Sequence, residues 1–498
     1  MFRGFCLLTF VLAYSLLCLS SIGAGEAAGA PPEESDAEEF MKAYRLADGL
    51  KIELFAAEPL LTHPVAICTD EKGRIFVAEA NRLSDLTKPA GHKDTGDLDM
   101  RSYLEFLDED IACKTVEDRI TMLKKNLGDR TRDFTVISER IRLLVDKNGD
   151  GKADSATTFA ECFNKMEDGL AAGVLARKGN VWFTDIPNLW HLRDKDNDGK
   201  ADEIKVLHTG YGVRIAYLGH DLHGLIIGPD GKLYFSIGDR GFHVKSPEGK
   251  ILAQQFNGGV FRCNQDGSDL EVIATGMRNP QELAFNQYGD LFTGDNNCDK
   301  GDPCRWVWVL DGTDCGWRIG YQHIFYPNLT GPWHGEKLWS TQFEGQAAYV
   351  LPPLGYVCLG GPSGLAYYPG TGLPERYNDH FFICDYRGTK GSVISFSMKP
   401  KGASFEITDQ QDFVSDIQAT DVMFGVDGRA YASVWYGAVT QTQKGRIYAI
   451  GDPSVSGDPS IQETRKLIGE DLDLRPVTDL KRLLTHKDQR VRTEAQFS

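Results

Sequence analysis

The chain has 498 residues, a formal net charge of −17, 53 glycines and 10% aromatics. An acidic chain without a basic stripe argues against DNA or RNA as a partner, because phosphate recognition needs clustered Lys and Arg. The glycine and aromatic content, with no dominant helical period, points to many short strands joined by tight turns.

Residues 1–25 read as an export signal: Arg3, an apolar run from Leu7 to Ser21, then Gly23, Ala24 and Gly25. The run is short for a stable transmembrane span. Cys18 follows Leu16-Leu17 rather than the small residue expected before a lipidated cysteine. The expectation is an exported protein, periplasmic or envelope-associated. Residues 26–40 are small and acidic and read as a disordered linker. Of eleven cysteines, Cys6 and Cys18 fall in the signal, which leaves an odd number. An exported location permits disulfides near the candidate site, where Cys298, Cys304 and Cys315 stand. No Cys-x-x-Cys-His occurs, so the sequence carries no c-type haem attachment site.

One pattern recurs over residues 41–452: an apolar run, a turn with Asp or Gly, then a second β-branched or aromatic run. Its copies begin at Pro64, Gly173, Gly224, Leu283, Gly364 and Asp421. Each reads as a hairpin in period-2 writing. Six hairpins at long, similar spacing predict an all-β fold, a six-bladed β-propeller. The first interval holds a charged insertion, about residues 86–135, with helical period from Leu104 to Leu127. Insertions of this sort cover a mouth or meet a partner. Residues 453–475 read as a linker. Residues 476–498 have helical spacing and resemble the start of a HEAT-like repeat, which cannot bury its own face.

Two acidic loops have the wording of short calcium loops: Asp146, Asn148, Asp150 and Asp154, then Asp194, Asp196, Asp198 and Asp202. Oxygen ligands at alternate positions with glycine at the sixth wrap Ca²⁺. A polar hairpin tip without metal is the plain alternative.

The densest polar segment is Arg278-Asn279-Pro280-Gln281, just before a strand-like run. Upstream, His220 enters another inner strand and Asp239 follows its return. An imidazole there suits proton removal from an alcohol, with Asp239 holding the other ring nitrogen, and Arg278 suits stabilisation of developing negative charge. Taken singly, each residue also fits a structural role in a channel, turn or ion pair.

These strands resemble the glucose/sorbosone dehydrogenase family, six-bladed propellers that use pyrroloquinoline quinone (PQQ). The resemblance puts the catalytic base at His220 and its partner at Asp239. It puts cofactor contacts at Arg278, Asn279, Gln281 and Lys390. It implies a sugar or alcohol substrate and hydride transfer to the quinone. Two departures stand out. The family's arginine pair before the last inner strand reads Gln418-Ala419-Thr420, and its calcium-site Gly-Pro falls on the segment Asp295 to Asp299, where the side-chain oxygens of Asp295, Asn296 and Asn297 still suit a hard cation. Losing two cations costs a few kcal/mol at about 1.5–3 kcal/mol per charge-assisted bond. The chain looks closest to planctomycete-type dehydrogenase-like propellers that continue into HEAT repeats and a cytochrome c domain, which implies a cytochrome as electron acceptor. The rival readings are a Ca²⁺-dependent lactonase and a carbohydrate- or protein-binding propeller without catalysis.

Overall fold

In the computed structural model each hairpin expected from the sequence opens a sheet, and the described residues are 34–83, 98–297, 303–317, 353–388, 390–436 and 443–498. The export signal, most of the following linker, residues 86–97, Cys298 and Asp299 lie outside them. Six sheets, antiparallel except for one short parallel pairing at the edge of the third, form the blades of a propeller. Their innermost strands are Pro64–Thr69, Ala171–Arg177, Leu222–Ile227, Pro280–Phe285, Gly361–Tyr367 and Ala419–Phe424. Each packs on the next around a ring, and the sixth closes on the first.

The ring is closed by a long-range pairing. Strand Lys51–Ala56, ahead of the first blade, forms the outer strand of the sixth by pairing with Gly445–Gly451. Every innermost strand carries a register shift near its start. A bulge there bends the strand and re-aims its first side chains. The hairpin turns at the opposite end repeat one chemistry. An Asp or Asn carboxyl or amide oxygen accepts amide protons two and four residues on, as Asp70 does from Lys72 (3.0 Å) and Arg74 (2.9 Å), and Asn286 from Tyr288 and Asp290 (both 2.9 Å). Between the blades the core is apolar and aromatic, with Trp182, Trp306 and Tyr448 fully buried.

The insertion folds as helices Leu107–Ala112 and Val116–Leu127, the second opened by a capping box between Thr115 and Asp118. Its apolar side, Leu107, Met122 and Leu123 among others, shares one cluster with Ile215 and Tyr217, immediately before His220. The insertion is thereby seated at the end of the ring where the innermost strands start.

Residues 453–475 hold more than a linker: helix Pro459–Ile468 lies there, N-capped by Asp458. Helices Val477–Leu483 and Gln489–Phe497 follow. The three share a buried cluster with Val426 of the propeller. The last helix lies over the turns of five blades. Arg490 donates to the carbonyls of Phe424 and Gly425 (both 3.0 Å), Gln489 to Pro369 (2.7 Å) and Asn286 (3.0 Å), and Gln496 to Pro229 (2.6 Å), while Glu494 pairs with Arg177 at 2.7 Å. The repeat-like face is buried on the propeller itself, across the end opposite the insertion. None of the described helices is long and apolar enough to cross a membrane.

Candidate active site

A cavity of about 600 Å³ opens where the innermost strands begin, and each strand contributes a residue near its start: Val65, Ala172, His223, Gln281, Ser363 and Thr420. This is ample for a small organic ligand. His220, Asn279, Asn296 and Asn297 complete the polar wall, and Arg101, Tyr386 and Arg387 stand at its sides.

His220 and Asp239 meet as expected. His220 Nδ1 lies 2.9 Å from Asp239 Oδ1, and both side chains are buried. Burial acts to raise the Asp239 carboxyl, but His220, Arg240 and Arg278 outweigh it and hold the group well below the usual carboxylate range. An ionised Asp239 accepts a hydrogen bond from the Nδ1–H and leaves Nε2 of His220 as the basic nitrogen. Burial, then the Arg278 charge, lowers His220 to about 4 against the pull of Asp239. The imidazole is therefore neutral at neutral pH. Tyr217 packs on it at 4.3 Å between ring centroids, with the guanidiniums of Arg101 and Arg240 at 5.0 and 5.6 Å from the Tyr217 ring.

The Arg278–Gln281 segment has divided roles. Arg278 is fully buried behind the cavity wall, is not among its lining residues, and donates Nη1 to the carbonyl of Asn297. Its influence on His220 is through charge. The Asn279 side chain accepts from His223 Nε2 at 3.1 Å, while its amide nitrogen is buried without an acceptor among the described residues. Gln281 donates to the carbonyl of Gly219, whose φ of +78° suits glycine, and a Cβ there would meet Gln281 Nε2 at 2.6 Å.

Asp295, read as a metal ligand, has other work. Its oxygens accept the backbone amides of Arg278 (3.1 Å) and Asn279 (2.8 Å) and an ion pair from Arg305. It holds the Arg278–Asn279 turn in place. Asn296 Oδ1 accepts the Asn297 amide at 2.8 Å, and Asn297 Nδ2 donates to Leu359 at 3.0 Å. Lys390 is outside the cavity wall: its side chain is 75% exposed and pairs with Asp416 at 3.5 Å.

Neither acidic loop touches the cavity; both cap outer strands of the first two blades. In the first, Asp146, Asn148, Asp150 and Asp154 accept backbone amides within the loop. In the second, the carboxylates of Asp194, Asp196 and Asp202 each bring an oxygen within 4.8 Å of the others, while Asp198 accepts the Lys200 amide at 2.8 Å.

Sequence reasoning missed three cavity residues. Arg101 comes from the insertion and is gripped by Asp99 through two 2.7 Å contacts, Asp99 also accepting the Leu218 amide at 2.9 Å. Arg387 is gripped by the buried Asp385, and Tyr386 presents a hydroxyl without a partner among the described residues. The one available signal was the polar Asp385-Tyr386-Arg387 ending the strand after Phe381-Phe382-Ile383-Cys384. Thr420, at a position of the family's missing arginine pair, gives its hydroxyl to Pro64 O at 2.8 Å. On the cavity floor Glu282 is raised well above the carboxylate range by burial and then by Asp421, which burial pushes up to about 7.

Fold and cavity together define a six-bladed β-propeller with a polar cavity where its innermost strands begin. A crystal structure of a glucose dehydrogenase matches with a TM-score of 0.50 and 15% identity, over 80% of this chain and 99% of that one. A PQQ-bound aldose sugar dehydrogenase from Streptomyces coelicolor matches at 0.45 and 15%, over 82% and 99%. In sequence, quinoprotein glucose dehydrogenase B of Acinetobacter calcoaceticus is 28% identical over 138 residues, a match spanning 22% of this chain and only 27% of that relative. The family itself is DUF7133, a domain of unknown function: the chain belongs to it, with residues 36–445 matched.

Proposed function

We propose that the protein is an exported PQQ-dependent dehydrogenase that oxidises a sugar or other alcohol. The observation that carries this reading is the neutral His220, aligned by Asp239 at 2.9 Å, in the wall of a cavity where Asn279 Nδ2 and the Tyr386 hydroxyl have no partner among the described residues. The residues suit a flat polyanion: Asn279 Nδ2 and the Tyr386 hydroxyl offer hydrogen bonds, and Arg101 and Arg387 offer the charge that Gln418 and Thr420 do not. PQQ, when bound, supplies a two-electron acceptor for hydride.

His220 Nε2 takes the hydroxyl proton of the substrate as its C–H bond breaks, and Asp239 stabilises the resulting imidazolium. Gln281 and Asn279 hold the loop of His220 and His223 against the wall. Burial, and after it the charge of Arg278, keeps the base unprotonated until substrate arrives. The Asp194–Asp196–Asp202 loop binds Ca²⁺ as a structural ion, away from the chemistry. Electrons pass to a c-type cytochrome outside this chain.

The test is calorimetric titration of PQQ into the protein with Ca²⁺ present, followed by a dye-coupled screen of sugars and alcohols. Micromolar or tighter binding and turnover lost in His220→Ala support the reading. Absence of PQQ binding overturns it.

A further inference from the structure

Cys304 opens the third strand of the fourth blade, Cys304–Val309, and Cys358 ends the neighbouring strand Gly355–Cys358. The two are direct antiparallel partners. Residues so placed have Cβ atoms about 4.5–5.5 Å apart, close to the span of a disulfide. Both are buried. Both sulfurs also reach a single acceptor, the carbonyl oxygen of Gly360, Cys358 at 4.0 Å and Cys304 nearer. The thiols interact with one another as well.

We infer that Cys304 and Cys358 are a disulfide pair that staples one wall of the cavity. Both thiols lose their protons and the sulfurs join, while an oxidant of the disulfide class, such as oxidised glutathione, takes the two electrons and is released as two thiols. Burial pushes the Cys358 thiol well above its ordinary range, so the exchange belongs to folding, before the strand closes over it. The staple has a defined load. Leu359, Gly360 and Gly361 follow Cys358 directly and line the cavity. Gly360 donates its amide to Asp385 Oδ1 at 2.6 Å, and Leu359 accepts from Asn297. On the other side, Arg305 follows Cys304 and grips Asp295, the residue that holds the amides of Arg278 and Asn279. The bond ties these two parts of the wall together whatever ligand the cavity takes.

The experiment refolds the full chain with a glutathione redox pair, blocks remaining thiols with iodoacetamide and maps peptides by mass spectrometry without reduction. The expected result is a Cys304–Cys358 linked peptide, and a melting temperature a few degrees above that of the reduced protein, a difference absent in Cys304→Ser. Alkylation of both cysteines after oxidative refolding overturns the inference. So does linkage of Cys304 to Cys298 or Cys315 instead.

Discussion

His220 Nδ1 and Asp239 Oδ1 lie 2.9 Å apart across one hairpin of the third blade, both buried, with His220 in the wall of the axial cavity. The pair sets the tautomer of a base that is neutral at physiological pH. Replacing His220 with Ala is expected to lower kcat by about 10²–10⁴-fold, the range of a lost general base. PQQ affinity should stay within a few-fold. Dye-coupled turnover beside calorimetry checks both, and equal loss of binding and turnover would make His220 a structural residue.

The pH dependence follows from the sign of the shifts. Burial is the largest cause that brings His220 and His223 each to about 4, below the ordinary 6.5. Folded values below the unfolded one give stability that is present above about pH 6.5 and is lost as pH falls towards 4. In catalysis the acid limb of kcat/KM should fall near pH 4 in wild type. Arg278→Gln removes the second cause and should move the limb up towards 6.5. An unmoved limb would end the electrostatic role given to Arg278.

Arg101 belongs to the insertion, so its effect tests whether that segment takes part in ligand binding. Arg101→Gln should weaken PQQ about 10–100-fold, the worth of one charge-assisted bond. The loss should shrink at high salt, since the side chain is only half-buried. Calorimetry at two ionic strengths measures it, and a salt-independent loss would point to altered packing.

The second acidic loop should bind Ca²⁺ and the first should bind it more weakly, because the carboxylates of Asp194, Asp196 and Asp202 converge on one point while those of the first loop do not. Excess Ca²⁺ should raise the melting temperature by mass action. The paired change Asp196→Ala, Asp202→Ala should abolish most of that rise and leave PQQ binding unchanged. A cofactor site lost with the loop would show that the two are coupled.

Val491 is fully buried between the C-terminal helices and the propeller. Val491→Ala should cost about 1–2 kcal/mol at ~0.8 kcal/mol per methylene plus a small cavity term. Glu494→Gln, which breaks a partly exposed ion pair with Arg177, should cost about 1 kcal/mol or less. Urea unfolding of both variants gives the comparison.

Much of the fold was legible locally. The period-2 runs and their turns with Asp or Gly are short-range signals, and all six hairpins formed where they were read. The His220–Asp239 pair was legible for the same reason: both lie on one hairpin, with register set by the strands between them. Lys390 was not, because a lysine one residue before a strand can leave the cavity side with a small turn of the chain. It lies instead on Asp416. The hold of Asp295 on the Arg278 and Asn279 amides was not legible, because a carboxylate beside amide-rich residues looks the same in sequence whether it holds a metal or two backbone N–H groups.

The blades, the hairpin pair of His220 and Asp239, and the polar Arg278–Gln281 turn are local in the chain, since all of them rest on neighbours within a few tens of residues. The closure of the ring, with Lys51–Ala56 on Gly445–Gly451, and the burial of the last helix's apolar face across the far end emerge only on folding. Only the tertiary structure brought Arg101 and Arg387 to one cavity and set Cys304 against Cys358. Those contacts join residues far apart in the chain, and apolar burial around a closed ring, rather than local propensity, selects them.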